Sequence, residues 1–236
     1  MNTQNYLTKS RILDFESVDI ESLIMSRGWR DLDEFDRIGA AYDYVRNEIK
    51  FGYNKSDDLT ASQVLQQGYG QCNTKGNLLM ALLRALNIPC RFHGFTIDNQ
   101  LQKGAIPAYI FPFAPKHILH SWVEVWFNDS WVDLEGFILD SGYLRSIQSR
   151  QNNTCESYKG YAIATNCLQK PDVDWVGKST YIQREGIHHD YGVFDTPDDF
   201  YNTQGTNLSG LKRVIFQYFL RHLMNLNLSR IRQETK

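Results

Sequence analysis

The run Tyr69-Gly70-Gln71-Cys72 leads straight into Asn73-Thr74-Lys75-Gly76-Asn77-Leu78-Leu79-Met80-Ala81-Leu82-Leu83-Arg84, and this junction constrains the chain more than any other. Leu78, Leu79, Leu82, Leu83 and Leu86 recur at helical spacing and predict a helix over residues 72–86 with a broad buried stripe. Asn87 followed by Ile88-Pro89 supplies the stop, because proline cannot continue a helix. Gly68 and Gly70 allow close backbone approach just before the start. Cys72 therefore stands in the first turn, where unpaired backbone N–H groups and the positive end of the helix dipole favour an anion. A thiolate held there is stabilised and is available as a nucleophile near neutral pH. The N–H of Cys72 itself is one of the donors from which an oxyanion hole can be built. A lone cysteine is more often a small buried hydrophobe. Cys90, which follows Pro89 at the head of an apolar strand, reads as that structural kind.

Three strands are expected after the helix, over residues 90–97, 119–127 and 131–137, with Asn128-Asp129-Ser130 as a hairpin turn between the last two. His120 opens the aromatic strand His120-Ser121-Trp122-Val123-Glu124-Val125-Trp126 and is the candidate base; His117 lies in the preceding loop and ranks lower. The next strand carries Asp133 and Glu135, two apart and so expected on one face. Either can hold the imidazole of His120 in the working tautomer, while Glu124 reads as a salt-bridge residue and Asp140 lies beyond the strand. A cysteine at a helix start, a histidine on a strand and an acid on the next are the parts of a thiol acyl-transfer site. The proline- and aromatic-rich loop over residues 106–115 is placed to shape access to it.

Gly70-Gln71-Cys72 with its leucine-rich helix and Arg84-Ala85-Leu86-Asn87-Ile88-Pro89-Cys90-Arg91 resembles the core signature of the transglutaminase-like superfamily. His120-Ser121-Trp122-Val123-Glu124-Val125 resembles that family's histidine motif, and Trp131-Val132-Asp133-Leu134-Glu135 its acid motif. The resemblance spans about residues 35–140, and the three blocks in order are more specific than any one. It implies a papain-like α+β fold, with the nucleophile at a helix N-terminus packed on an antiparallel sheet. It implies Cys72 as nucleophile and His120 as base. The family has aspartate four residues after the tryptophan of the second strand; here that position is Glu135, with Asp133 as the substitute acid. Gln71, beside the nucleophile, is the candidate second oxyanion donor. The implied activity is that of a thiol-dependent amide hydrolase or acyl transferase acting on a peptide or protein amide through a thioester, with no cofactor and no metal. The alternative is a module that keeps the fold without turnover, against which the joint presence of Cys72 and His120 argues.

Composition adds exclusions. The net charge of −2 lacks the basic footprint of a nucleic-acid binder. No apolar run is long enough for a signal peptide or a bilayer span, so a cytoplasmic protein with no nucleic-acid and no membrane partner is expected. Cys155 and Cys167 are expected as free thiols, since four cysteines are too sparse for a disulfide framework. A metal-dependent hydrolase built on His188, His189 and Asp190 is a weaker possibility, because adjacent histidines point apart. Residues 1–236 read as one domain with a C-terminal extension, and residues 150–205 as loop. Arg11-Ile12-Leu13-Asp14-Phe15 is expected as a short strand. A helix near residues 208–232 is expected to pack Leu211, Val214, Ile215, Tyr218, Phe219, His222, Leu223 and Leu226 on the core.

Overall fold

In a computed structural model, which describes residues 4–151 and 155–233, α1 (Val18–Arg27) and α2 (Glu34–Asn47) come first. Asp33 caps α2 by accepting the Asp36 N–H at 2.9 Å, and Ile38, Ala41, Tyr42 and Val45 turn into the core. A two-residue strand β1 (Lys50–Phe51), the helix α3 (Ala61–Gln67) and a second short strand β2 (Tyr69–Gly70) then lead to α4 (Cys72–Ala85). Thr60 caps α3 with a reciprocal Gln63 contact, and β1 pairs in parallel with β2. The chain continues as β3 (Cys90–Asp98), β4 (His117–Phe127), β5 (Ser130–Leu134) and α5 (Ser141–Gln148). After α5 come a small hairpin β6 (Tyr158–Gly160) and β7 (Ile163–Thr165), then β8 (Ile187–Phe194) and α6 (Pro197–Gln204). Finally α7 (Gly210–Ile215) runs through a π-helical turn, Phe216–Leu220, into α8 (Arg221–Gln233).

The main sheet is antiparallel with strand order β5-β4-β3-β8. Asn128 and Asp129 both adopt positive φ, which matches the right-handed twist of the two strands they join. The helix α4 is the centre of the molecule. Every residue from Asn73 to Arg84 is buried, so it carries more than a stripe: α2 and α3 cover one side and the sheet the other. Leu78, Leu79, Leu82 and Leu83 are fully buried, each worth about 2 kcal/mol of apolar transfer. Asn87 ends the helix at φ 60°, with its N–H on the Arg84 carbonyl. The same face of the sheet that meets α4 is covered further along at Gly94, which pairs with Ser121 and where the Phe200 ring of α6 lies in the space a Cβ would occupy.

Five expectations are corrected. Residues 187–194 are an edge strand of the sheet and 197–204 a helix, not loop. Ile12 and Leu13 are buried without strand structure, the Ile12 N–H bonding the Asp198 carboxylate at 3.1 Å. Cys155 and Cys167 form a disulfide. The strand expected over 131–137 ends at Leu134. The C-terminal helix buries Met224, Leu228 and Ile231, whereas Leu211, Val214, Ile215, Tyr218, Phe219, Leu223 and Leu226, expected inside, are exposed.

Candidate active site

Cys72 is the first residue of α4 and is partly exposed, while Cys90 is fully buried with its sulfur toward the Met80 carbonyl. The Cys72 N–H has no hydrogen-bond partner among the described residues, as expected of a first-turn amide. Gln71 precedes it in extended conformation, its N–H on Thr74 Oγ1 at 3.1 Å. The Gln71 side chain accepts the Asn54 N–H at 2.8 Å and donates one Nε2 proton to Asp57 Oδ1 at 3.0 Å, and its second N–H proton meets no acceptor among the described residues.

His120 sits three residues into β4 with no solvent exposure. Its Nε2 lies 3.3 Å from Glu135 Oε1. Its other ring nitrogen, Nδ1, is buried with no hydrogen bond of normal geometry among the described residues, and the Cys72 sulfur is close enough to act on the ring by charge and by hydrogen bonding. Burial alone pushes the imidazole pKa down, but the Cys72 sulfur and the Glu135 carboxylate outweigh it and hold the pKa up at about 9. The ring also meets Phe95 edge-on, at 4.8 Å between centroids, which fixes its plane.

Glu135 reaches His120 because β5 has already ended. Its backbone, at φ −120° and ψ −30°, leaves the strand and aims the side chain inward, where it is fully buried. A buried carboxylate needs partners, and Glu135 Oε2 has three backbone donors: the N–H groups of Ile182 and Gln183 at 2.8 Å and of Arg184 at 3.1 Å. Asp133, still on the strand, instead accepts the Tyr181 hydroxyl and makes no contact with His120. The two acids therefore do not act on one partner, because the alternation that puts residues two apart on one face stops at Leu134.

A second layer locks the cysteine's helix to the histidine's strand. Asp57 accepts Gln71 Nε2 at 3.0 Å, Asn73 Nδ2 at 3.1 Å and Asn207 Nδ2 at 3.0 Å. Asn73 and Asn207 both donate to the Leu119 carbonyl, at 3.1 and 3.2 Å, and Asn73 Oδ1 accepts the Ser121 hydroxyl at 2.9 Å. The residues on either side of His120 are thus tied to the residues on either side of Cys72. Asp57, Asn207 and the Ile182–Arg184 amides carry no sequence signature; only proximity in the fold assigns them here. Asp140 caps α5 and is held low, at about 2: burial opposes this, but Arg232 and the Phe51 and Tyr143 amides prevail. Glu124 pairs with Arg91 and with His93 Nδ1, each at 2.6 Å.

Cys72, His120, Gln71 and Asp57 open on a cleft of about 710 Å³. One wall is the loop over residues 106–115, with Ile110 and Phe113; the other is the C-terminal helix, with Ile215, Phe216 and Leu220. His188 and His189, neighbours on β8, do not converge. His188 stacks on His117 with centroids 3.8 Å apart, His189 meets Tyr191, and Asp190 accepts from His93. No group of three metal-ligating side chains comes together among the described residues.

Residues 27–136 match the family model of the transglutaminase-like superfamily. No curated protein matches the sequence. Among solved structures, a candidate cysteine protease from Cytophaga hutchinsonii is similar at 12% identity and a TM-score of 0.49, over 84% of this chain and 48% of that one. Red sea bream transglutaminase is similar at 17% identity and a TM-score of 0.33, over 56% of this chain and 27% of that one. The chain spans less than half the length of either protein.

Proposed function

With residues 27–136 as a transglutaminase-like core, we propose that the chain is a thiol-dependent amide hydrolase or acyl transferase acting through Cys72, His120 and Glu135. The observation that supports this reading is that the buried His120 has both the Cys72 sulfur and a fully buried Glu135 as its electrostatic partners. An imidazole with a pKa of about 9 is protonated at neutral pH and stabilises a thiolate beside it. The thiolate attacks the carbonyl carbon of a peptide or protein amide. The negative charge that develops on oxygen is met by the Cys72 N–H and the second Gln71 Nε2 proton. As the tetrahedral species collapses, His120 gives its proton to the leaving nitrogen, the C–N bond breaks and a thioester remains. Neutral His120 then takes a proton from water, giving the acid, or from an amine, giving a new amide; in both cases the thiolate leaves. Glu135 orients the ring and stabilises its charged form throughout.

The test is turnover of a peptide-amide library by the wild type and by Cys72→Ser, with loss of ammonia or amine release expected in the variant. Retained turnover in Cys72→Ser removes the mechanism.

A further inference from the structure

The cleft beside Cys72 carries an unbalanced charge. Among the described residues that line it, Lys55, Lys212 and Arg213 are the lysine and arginine side chains, and Asp57 is the one carboxylate. Asp57 is buried and already engaged, since it accepts from Gln71, Asn73 and Asn207. Lys55, Lys212 and Arg213 are exposed, and their side chains enter no ion pair or hydrogen bond among the described residues. A thiolate on Cys72 and an imidazolium on His120 offset each other, so the surplus in the cleft stays positive. The whole chain, by contrast, has a net charge of −2. A cleft lined by one sign of charge between low-dielectric walls focuses its field on what enters.

Hydrogen bonds tie these cations to the reacting end of the cleft. Lys55 follows Asn54, whose backbone N–H is held by Gln71 Oε1 at 2.8 Å. Lys212 and Arg213 lie in α7, which starts three residues after Asn207. Asn207 Nδ2 is 3.0 Å from the Asp57 carboxylate, which also holds Gln71 and Asn73 on either side of Cys72. Most of the remaining lining is apolar, with Ile110 from the loop and Phe216 and Leu220 from the C-terminal helix. One further lining group is polar and incomplete. Gln183 donates Nε2 to the Ala162 carbonyl, while its buried Oε1 has no partner among the described residues. A buried acceptor left unpaired is costly, and a ligand that brings an N–H completes it. A peptide has such donors along its main chain, whereas a phosphodiester backbone has acceptors only.

We infer that the cleft selects peptides that carry Asp or Glu close to the amide Cys72 attacks, flanked by apolar residues, and that Lys55, Lys212 and Arg213 set this preference. The inference rests on the reading of the cleft as a peptide-amide site, but its test needs no turnover. Binding to the full chain carrying Cys72→Ala is measured by fluorescence anisotropy. The probes are three rhodamine-labelled hexapeptide pools, apolar except for two central Glu, Gln or Lys residues. In low salt the Glu pool is expected to bind at least about tenfold more tightly than the Lys pool, with the Gln pool between them. The gap should close in molar salt, where the screening length falls to about 3 Å. Lys212→Glu combined with Arg213→Glu should abolish or reverse the preference. Both side chains are exposed, and an unchanged melting curve establishes that the variant folds. Should it not fold, Lys55→Glu and the salt dependence decide. Equal binding of the pools, a preference for Gln or Lys, no binding of any pool, or a preference that the folded charge-reversed variant retains overturns the inference. Tighter binding of a thymidine oligonucleotide than of the Glu pool also overturns it, in favour of a polyanion. The chemistry is judged separately: loss of the charge preference leaves the thiol mechanism standing, and retained turnover in Cys72→Ser removes the mechanism without touching the preference.

Discussion

His120 Nε2 lies 3.3 Å from Glu135 Oε1, and neither side chain is exposed to solvent. A histidine and a glutamate removed from water together must be held as a pair, and the three amides of Ile182, Gln183 and Arg184 on the other carboxylate oxygen keep that pair in register. The proposed activation of the cysteine depends on this arrangement.

Replacing Glu135 with Gln removes the charge and nearly preserves the shape. The His120 pKa should fall from about 9, and the alkaline limit of activity should move down with it. Turnover should drop by about 10²- to 10⁴-fold, the range expected when an imidazole loses its orienting acid. A pH–rate profile of both proteins checks this; an unchanged alkaline limit speaks against the pairing.

Asp133→Asn separates the two acids that the sequence leaves open. Asp133 bonds Tyr181, so the variant should lose about 1 kcal/mol of stability or less and keep turnover within about threefold. Loss of activity comparable with that of the Glu135 variant would transfer the role to Asp133.

The stability of the wild type should depend on pH through His120. Its folded pKa of about 9 lies above the ordinary 6.5, so the stabilising contribution is complete below 6.5 and is lost as pH rises through 9. His120→Gln should flatten this alkaline decline in melting temperature, measured by calorimetry. An equal decline in both proteins places its origin elsewhere.

Asp57→Ala leaves Gln71, Asn73 and Asn207 donors without their common acceptor. A loss of about 2–4 kcal/mol is expected in chemical denaturation. Turnover should fall as well, because the links between the start of α4 and the two neighbours of His120 pass through these side chains.

With the Cys155–Cys167 disulfide in place, thiol titration of the denatured, unreduced protein should find only Cys72 and Cys90. Disulfides persist in oxidising surroundings, so this count also bears on the expected cytoplasmic location. Four titrating thiols in unreduced protein would remove the bond.

Much of this site is legible in the sequence because its parts obey local rules. The leucines of α4 fix a helix and place Cys72 at its start, and Asn128-Asp129 fixes the hairpin that brings Glu135 back toward His120. The choice between Asp133 and Glu135 is not legible, since it turns on where β5 stops. The Glu135 clamp is made of backbone amides 47 to 49 residues away, which no side-chain pattern announces. The strand β8 is a polar, partly exposed edge and lacks the apolar alternation that marks a half-buried strand. The C-terminal helix misleads for a different reason: with apolar residues on both faces, periodicity shows that it is a helix but not which side is buried.

Iodoacetamide labelling of the native protein across pH, read by mass spectrometry at each cysteine, tests the central claim most directly. The account predicts that Cys72 is alkylated at neutral pH, that Cys90 stays unlabelled until denaturation, and that His120→Ala abolishes the neutral-pH reaction. Labelling of Cys72 only at alkaline pH, or at the same rate with and without His120, would contradict it.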